Sequence, residues 1–183
     1  YDKGYTDKTS LTIETLSGIR TLNLQLVAGK VKSVSVDMGK AVADSPTEIT
    51  VEGKAVTLTP VSVGNPHAVI FVDDIDKAPL TTLGPKIEKY QFFPDGVNVE
   101  FVQVLSPNKL RMRVWERGSG VTMACGTGAC ASAMAAIAAK HCRYNEDISV
   151  QLDGGTLKIN IAPDNSVQMT GPAEFVYEGE TIE

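Results

Sequence analysis

Cys125 lies where a glycine-containing loop meets an alanine-rich segment, in the stretch ACGTGACASAMAAIAAKHC. The alanine-rich segment predicts a helix, and the first turn of a helix presents unpaired N–H groups at the positive end of its dipole. Gly126 and Gly128 would let a ligand approach those groups closely, and Thr127 adds a hydroxyl. We therefore predict a carboxylate or phosphate site at this helix end, with a lowered pKa and raised reactivity for the Cys125 thiol.

A purely structural role is the alternative for this thiol. A lone cysteine beside turn glycines is more often a small buried residue, so the motif by itself leaves both hypotheses open. Cys130 and Cys142 fall inside the predicted helix, and we expect them to pack without reacting. Three cysteines in one stretch, with no framework spacing, indicate reduced thiols in a cytosolic protein. The Cys-x4-Cys spacing is a poor match to a zinc site, and we expect no metal.

An adjacent pair of opposite charges, Glu116 and Arg117, ends a predicted strand and enters the loop GSGVT that leads to the thiol. Such pairs are most often solvated salt bridges with little energetic weight. Their position before the loop favours substrate contact instead, because together they could hold the ammonium and the carboxylate of an amino acid.

Two asparagines and a histidine lie at strand ends elsewhere in the chain. Asn65 and His67 flank Pro66 in the segment SVGNPHAVIFV. A hairpin turn is the structural alternative there to an orienting amide beside a titratable imidazole. Asn98 lies just inside a predicted strand, where asparagine is unfavourable unless it satisfies a bulge or binds a ligand. None of these signals identifies a function by itself.

Most of the chain alternates apolar and polar residues, which predicts half-buried strands separated by turn residues. A short helix is predicted at 79–90, broken or kinked at Gly84 and Pro85. The one long helix, about 126–142, has alanine on every face and no charge before Lys140, so we expect it to be buried on all sides. The predicted fold is α+β, with strands wrapped around this central buried helix. The predicted strands cover residues 11–16, 19–27, 31–38, 55–63, 67–72, 97–105, 110–116, 148–152, 157–161, 167–171 and 174–178.

The composition argues against several classes of function. The 183 residues suffice for a sizeable core, and a net charge of −5 without a basic cluster argues against nucleic acids and anionic membranes as partners. No apolar run reaches the roughly 18 residues that span a bilayer. The opening residues, YDKGYTDK, have neither the pattern of a signal peptide nor an initiator Met. We therefore expect further sequence upstream of them.

Four segments together resemble the diaminopimelate epimerase family: SVGNPHAVIFV, FPDGVNVEFV, RVWERGSGVTMACGTGACAS and MTGPAEFVYEGE, in this order. The resemblance covers the whole chain. It implies a cytoplasmic isomerase that converts LL-diaminopimelate to the meso form, in lysine and peptidoglycan precursor synthesis. It also implies a homodimer that uses neither pyridoxal phosphate nor a metal, and no other cofactor is expected. The implied fold has two pseudo-symmetric halves, each with strands around a central helix, and an active site between them.

The resemblance assigns roles residue by residue. Cys125 is similar to one of two catalytic cysteines, and Gly126 and Thr127 are similar to backbone donors for the reacting carboxylate. His67 and Glu116 are similar to groups that adjust the protonation of the cysteines. The residues similar to substrate ligands are Asn65, Asn98, Glu116 and Arg117.

The other cysteine of the family lies in an upstream CGNG-type motif, which this sequence does not contain. An early asparagine-containing loop of the family is missing as well. We therefore expect residues 1–29 to end the first half, 30–170 to form the second half, and 171–183 to return to the first half as a strand. The missing N-terminal half is the expected partner, and we expect the chain alone to be inactive.

Acid–base chemistry favours this assignment independently. An α-hydrogen beside a carboxylate is very weakly acidic, so its removal needs a base of matched pKa and stabilisation of the charge that develops on the carboxylate. Inversion needs a proton acceptor on one face and a donor on the other, and two opposed thiols supply both. Three alternatives remain open: a proline or hydroxyproline racemase, a non-catalytic fragment, and a cysteine hydrolase with His67 as the partner of the thiol.

Overall fold

The computed structural model describes residues 1–15 and 18–181. In this part of the chain there are 13 strands, two α-helices and one short 3-10 helix. The helices are α1 (Leu80–Glu88) and α2 (Gly126–Ala138), and the 3-10 helix is Ile75–Lys77. The strands are β1 (Ser10–Thr15), β2 (Gly18–Val27), β3 (Lys30–Lys40), β4 (Val42–Ala43), β5 (Thr47–Val51), β6 (Lys54–Ser62), β7 (Pro66–Phe71), β8 (Asn98–Ser106), β9 (Lys109–Glu116), β10 (Gly120–Thr122), β11 (Ile148–Leu152), β12 (Gly155–Ile161) and β13 (Ser166–Gly171).

The strands form one large mixed sheet. Its order is β1-β2-β3-β13-β12-β11-β9-β8-β7-β6-β4, with β10 beside β9 and β5 beside β6. The pairs β7–β8 and β9–β11 are parallel, whereas consecutive strands such as β8–β9 and β11–β12 are antiparallel. The predicted α+β class is confirmed.

Helix α2 is the centre around which the sheet curves. It packs against β4, β6, β7, β8, β9, β11, β12 and β13, and every residue from Gly128 to Ile137 is buried. The predicted central buried helix is therefore confirmed, although it ends at Ala138 and not at residue 142. It ends there because Lys140 adopts a left-handed conformation, φ 63°. The N–H groups of His141 and Cys142 then turn back to the carbonyl of Ala136.

Helix α1 covers the opposite face of the sheet. Along β8 and the residue before it, side chains alternate between the two faces of the sheet. Val97, Val99 and Phe101 pack in the cluster under α1, and Val102 packs in the cluster around α2. By the same alternation, Asn98 and Glu100 face the α2 side of the sheet.

The predicted break at Gly84 and Pro85 is wrong, because α1 runs through both residues. Pro85 removes a single intrahelical hydrogen bond in a nine-residue helix. Burial of Leu80 and Ile87 outweighs that loss. Gly84 lies directly against Trp115 of β9, where a side chain has no room.

We expect Gly84→Ala to lower the free energy of unfolding by about 1–3 kcal/mol, because the added methyl overpacks this contact. A Cβ at residue 84 would lie 2.8 Å from the Cβ of Trp115. Urea unfolding measures the change, with Thr81→Ala on the exposed side of the same helix as the control. The control should stay within about 0.5 kcal/mol of the wild type. Equal stability of Gly84→Ala and the wild type would contradict the close packing.

The first three strands continue the sheet beyond the part that encloses α2. Leu22, Leu24 and Leu26 alternate on β2 toward one face, and Val34 and Val36 of β3 lie opposite the first two. All five side chains are only half-buried. This strip is an apolar surface of the described chain.

The predicted strand at 174–178 differs from the structure, in which no residue of 172–181 belongs to a strand. The side chains of Phe175, Val176 and Tyr177 are 67%, 89% and 85% exposed, so alternation there reflects no packing. This segment instead contacts Lys3, which pairs with Glu178 and lies over the ring of Phe175. Leu16 of the predicted strand 11–16, and residues 182–183 of the predicted last segment, lie outside the described residues. The division of the chain at 29/30 and 170/171 stays a prediction.

Candidate active site

Cys125 is the N-cap residue of α2. Its backbone is extended (φ −141°, ψ 107°), and its Sγ accepts a hydrogen bond from the N–H of Gly128 at 3.3 Å. The side chain thus satisfies one of the free donors of the first turn, as an N-cap side chain does. The hydroxyl Oγ1 of Thr127 lies 3.7 Å from the same sulfur. The predicted position of the thiol at the loop–helix junction is confirmed.

The predicted lowering of the Cys125 pKa is wrong for the chain as described. The pKa is raised to about 11, and burial, which leaves the residue 8% exposed, is the largest cause. The negative charges of Glu100 and Glu116 also raise the pKa, and the hydrogen bonds from Gly128 and Thr127 offset only part of the total rise. The residue is therefore held as a thiol.

A buried chain of hydrogen bonds leads away from this helix end. The amide Nδ2 of Asn65 donates to Thr127 Oγ1 at 3.3 Å, and its Oδ1 lies 3.1 Å from Nε2 of His67. The other ring nitrogen of His67, Nδ1, lies 2.7 Å from Oε1 of Glu100. His67 and Glu100 are 1% and 0% exposed. Asn65 and His67 thus connect to the helix end through Thr127, and the chain ends at Glu100, a glutamate that sequence reasoning missed.

A signal for Glu100 was present in the sequence. It is a charged residue in the apolar run VNVEFV, two positions after Asn98 and hence on the same face of β8. Glutamate is almost never fully buried unless it is paired, so its place in a central strand is unusual. It lies next to the helix end because α2 crosses this face of the sheet.

Asn98 joins the start of β7 to the loop after β9. Its Nδ2 donates to the carbonyl of Pro66 at 3.1 Å, and its Oδ1 accepts the N–H of Arg117 at 3.0 Å. The asparagine that is unfavourable in a strand therefore ties two loops together. Each end of the amide keeps one further hydrogen-bonding position.

Glu116 and Arg117 do not pair with each other among the described ion pairs. The hydroxyl of Thr122 donates to Oε1 of Glu116 across the β9–β10 hairpin. The guanidinium of Arg117 donates to the carbonyl of Asp95 at 3.0 Å, and its side chain lies on Gly96. Glu116 is half-buried and Arg117 is exposed.

Glu88 of α1 holds the loop that carries these charges. Its Oε1 accepts the N–H of Gly118 at 2.9 Å, and its Oε2 accepts the indole N–H of Trp115 at 2.6 Å. The bond from Trp115 is the main reason why the pKa of this carboxyl lies below its usual value. The loop before the thiol is thus fixed from the α1 side of the sheet.

Two cavities open beside these residues. One, of about 300 Å³, is lined by residues including Asp44, Asn65, Pro66, His67, Phe92 and Phe93. The other, of about 400 Å³, is lined by residues including Glu88, Tyr90, Asp95, Gly96 and Arg117. Asn65 and Arg117 can therefore be reached by a ligand.

Comparison with known proteins gives a consistent identification. A family model described as diaminopimelate epimerase matches residues 59–176. The chain belongs to the diaminopimelate epimerase family. Diaminopimelate epimerases of Bacillus licheniformis and Phocaeicola vulgatus are 48% and 49% identical to it over 98% of the chain. The chain spans 68% of the length of each. Because these relatives are epimerases, the chain is a member of a family of isomerases.

Solved structures of low sequence identity share the fold. A probable proline racemase from Agrobacterium radiobacter matches with a TM-score of 0.69 at 16% identity, over 93% of this chain and 61% of that one. A protein described as a predicted epimerase from Pseudomonas aeruginosa matches with a TM-score of 0.70 at 15% identity, over 99% of this chain and 69% of that one. The predicted diaminopimelate epimerase-like architecture is confirmed.

The surroundings of Cys125 differ from those of a cysteine hydrolase nucleophile. Both ring nitrogens of His67 are engaged, by Glu100 and by Asn65, and the partners of Cys125 Sγ are Gly128 and Thr127. A hydrolase needs the imidazole beside the sulfur to take its proton. The geometry therefore argues against the hydrolase alternative.

Neither a cluster of metal-ligating side chains nor a membrane-spanning helix occurs in the described part of the chain. No group of three or more His, Cys, Asp or Glu side chains there could hold a metal ion. Residues 1–15 and 18–181 also contain no helix that is long and apolar enough to cross a membrane.

Proposed function

We propose that the chain is the part of a diaminopimelate epimerase that carries one of two acid–base cysteines. The complete enzyme converts LL-diaminopimelate to the meso form by cofactor-independent proton transfer at one α-carbon, for lysine and peptidoglycan precursor synthesis. One observation carries the proposal: in a chain of this family, Cys125 caps the buried helix α2 beside N–H groups that can bind a carboxylate. Cys125 is the proposed proton-transfer residue.

The first turn of α2 is the proposed site for the reacting carboxylate. The N–H of Gly128 is bonded to Cys125 Sγ and that of Ala129 to Cys125 O, which leaves the N–H groups of Gly126 and Thr127 for the substrate. Gly126 and Thr127 are half-buried, so a ligand can reach them. Donors fixed beside the sulfur stabilise the charge that develops when the α-proton leaves.

Asn65, Asn98, Glu116 and Arg117 are the proposed ligands of the rest of the substrate. Asn65 bonds directly to Thr127 and so lies beside the carboxylate site. Asn98 accepts the N–H of Arg117, which couples the arginine to the same loop cluster. Opposite charges at residues 116 and 117 suit an amino-acid end that carries an ammonium and a carboxylate. His67 and Glu116 are the proposed modulators of cysteine protonation, and the charge of Glu116 does act on Cys125.

The second thiol is proposed to come from an N-terminal half. Cys130 and Cys142 are 0% and 5% exposed, and burial raises the pKa of Cys130 to about 12. Neither residue is placed to oppose Cys125 across a substrate, because both follow it on or just after the same helix. The half-buried leucine strip of β2 is the proposed contact surface for that half. A homodimer and a cytoplasmic location belong to the proposal as well, and the three free thiols favour a reducing compartment.

The substrate test uses the chain fused behind the N-terminal part of the Bacillus licheniformis epimerase. We expect this fusion to form meso-diaminopimelate from the LL isomer and to leave L-proline and trans-4-hydroxy-L-proline unchanged. A proline or hydroxyproline racemase, suggested by the fold neighbours, would invert the cyclic substrates instead. Inversion of proline without formation of meso-diaminopimelate would overturn the proposed substrate.

Arg117→Lys in the same fusion should lower kcat/KM by about tenfold or more, because a point ammonium cannot replace the planar fork of a guanidinium. Arg143→Lys, an exposed arginine in a weak i,i+3 pair, is the matched control and should leave kcat/KM unchanged. Steady-state kinetics with LL-diaminopimelate measures both variants. Unchanged kinetics for Arg117→Lys would return Arg117 to the role of a solvated surface charge.

A further inference from the structure

Glu100 is a fully buried carboxylate whose role is not explained by packing. It is 0% exposed in the centre of β8, and its Oε2 has no hydrogen-bond partner among the described residues. Burying a carboxylate with an unpaired oxygen lowers the stability of a fold. Such groups occur preferentially at functional sites.

The paired oxygen of Glu100 contacts one end of the chain of hydrogen bonds at the site. Oε1 is 2.7 Å from His67 Nδ1, and His67 Nε2 is 3.1 Å from Asn65. Asn65 in turn bonds to Thr127, whose N–H is a proposed carboxylate donor. Glu100 and Asn65 thus each occupy one ring nitrogen of His67, so Glu100 fixes the orientation of the imidazole.

Glu100 also faces the thiol across a glycine. The position that a Cβ would occupy at Gly128 lies 2.8 Å from Glu100 Oε1 and 3.1 Å from Cys125 Sγ. A side chain at residue 128 would therefore separate the carboxylate from the sulfur or displace both. The second glycine of the CGTG motif is explained by this close approach.

We propose that Glu100 is a positioning residue of the site: its Oε1 holds the imidazole of His67 through Nδ1, with Nε2 directed at Asn65, and the same oxygen faces the Cys125 thiol across Gly128. This proposal rests on the proposed epimerase function and deepens it.

The charges around Cys125 determine the sign of the expected effect. The charged groups that act on it are Glu100 on β8 and Glu116 at the end of β9. Cys130 on α2 is a further titratable neighbour of Cys125, and His67 on β7 is bonded to Glu100. Glu100→Gln removes one negative charge, so the pKa of the thiol falls and its thiolate fraction at a given pH rises. Alkylation of Cys125 should then be about tenfold faster at about pH 9, since one pKa unit is a factor of ten.

The test follows alkylation by iodoacetamide in the Cys130→Ala background, with peptide mass spectrometry to resolve residue 125 from Cys142. Glu48→Gln is the control: it removes a glutamate charge at an exposed position of β5, and Glu48 is not among the groups that act on Cys125. The control should alkylate at the wild-type rate, and Glu100→Asp, which keeps the charge, should stay within about threefold of the wild type. Equal rates for Glu100→Gln and wild type, or equal acceleration by Glu100→Asp, would overturn the proposal.

A second readout reports on the imidazole directly. The chain has two histidines, so ¹⁵N spectra of histidine-labelled protein resolve buried His67 from exposed His141. We expect hydrogen on Nδ1 of His67 in the wild type and Glu48→Gln, and loss of this fixed pattern in Glu100→Gln. An unchanged His67 pattern in Glu100→Gln would overturn the positioning role. Neither readout needs turnover, so failure of the epimerase assay and failure of this proposal are separate results.

Discussion

A polypeptide limited to residues 1–183 should form meso-diaminopimelate at least about 10³-fold more slowly than the same residues fused behind the N-terminal part of the Bacillus licheniformis epimerase. Inversion by this mechanism requires a thiol on each face of the substrate, and a single general acid–base group contributes about 10²- to 10⁴-fold to the rate. Among the three cysteines, only Cys125 lies at a helix N-terminus. The proposed carboxylate donors at Gly126 and Thr127 are only half-buried in this chain, so water would compete for their N–H groups.

The measurement is the initial rate of meso formation from the LL isomer, with purified chains verified by intact mass. A second fusion carries Leu24→Ala in the half-buried strip of β2; it should assemble less well and lose activity in proportion to assembly. Rapid formation of meso by residues 1–183 alone would show that a second base lies within them. The two-half hypothesis would then be wrong.

Cys125→Ala in the fusion should reduce inversion by about 10³-fold or more, because the alanine can neither accept nor donate the α-proton. The fold should persist, since the residue is small and lies at the end of an element. Cys130→Ala is the matched control, a thiol to alanine change five residues along in the same buried helix. It should keep its turnover and lose about 1 kcal/mol of stability.

The architecture was largely predictable because alternation and composition are local signals. The alternation of apolar and polar residues located most strands to within a few residues. The absence of charged residues before Lys140 indicated that the long helix is buried. Short elements were missed: β10 has three residues, and β5 follows a proline. The predicted strand at 174–178 was wrong, because alternation in one segment does not show whether a neighbouring strand is present to pair with it. Gly84 and Pro85 were misjudged because Trp115 approaches α1 from a distant strand.

The sequence predicted which residues lie together at the site but not how their charges affect one another. The motifs indicated Cys125, Asn65 and His67, and the structure joins them through Thr127. The sign of the Cys125 pKa change was wrong, because the sequence shows the helix end but not the depth of burial. It also does not show that Glu100 faces the sulfur across Gly128. Contacts between strands far apart in sequence decide such charges, and no local pattern reports them.

The central claim is that Cys125 exchanges the α-proton on one face of the substrate. It is tested most directly by deuterium incorporation at the α-carbon in D₂O, measured separately for LL- and meso-diaminopimelate with the fusion and its Cys125→Ala variant. The fusion should exchange both isomers as it inverts them. The variant should lose inversion and should exchange only the isomer whose α-hydrogen faces the other thiol. Exchange of both isomers at the rates of the unmodified fusion would contradict the claim.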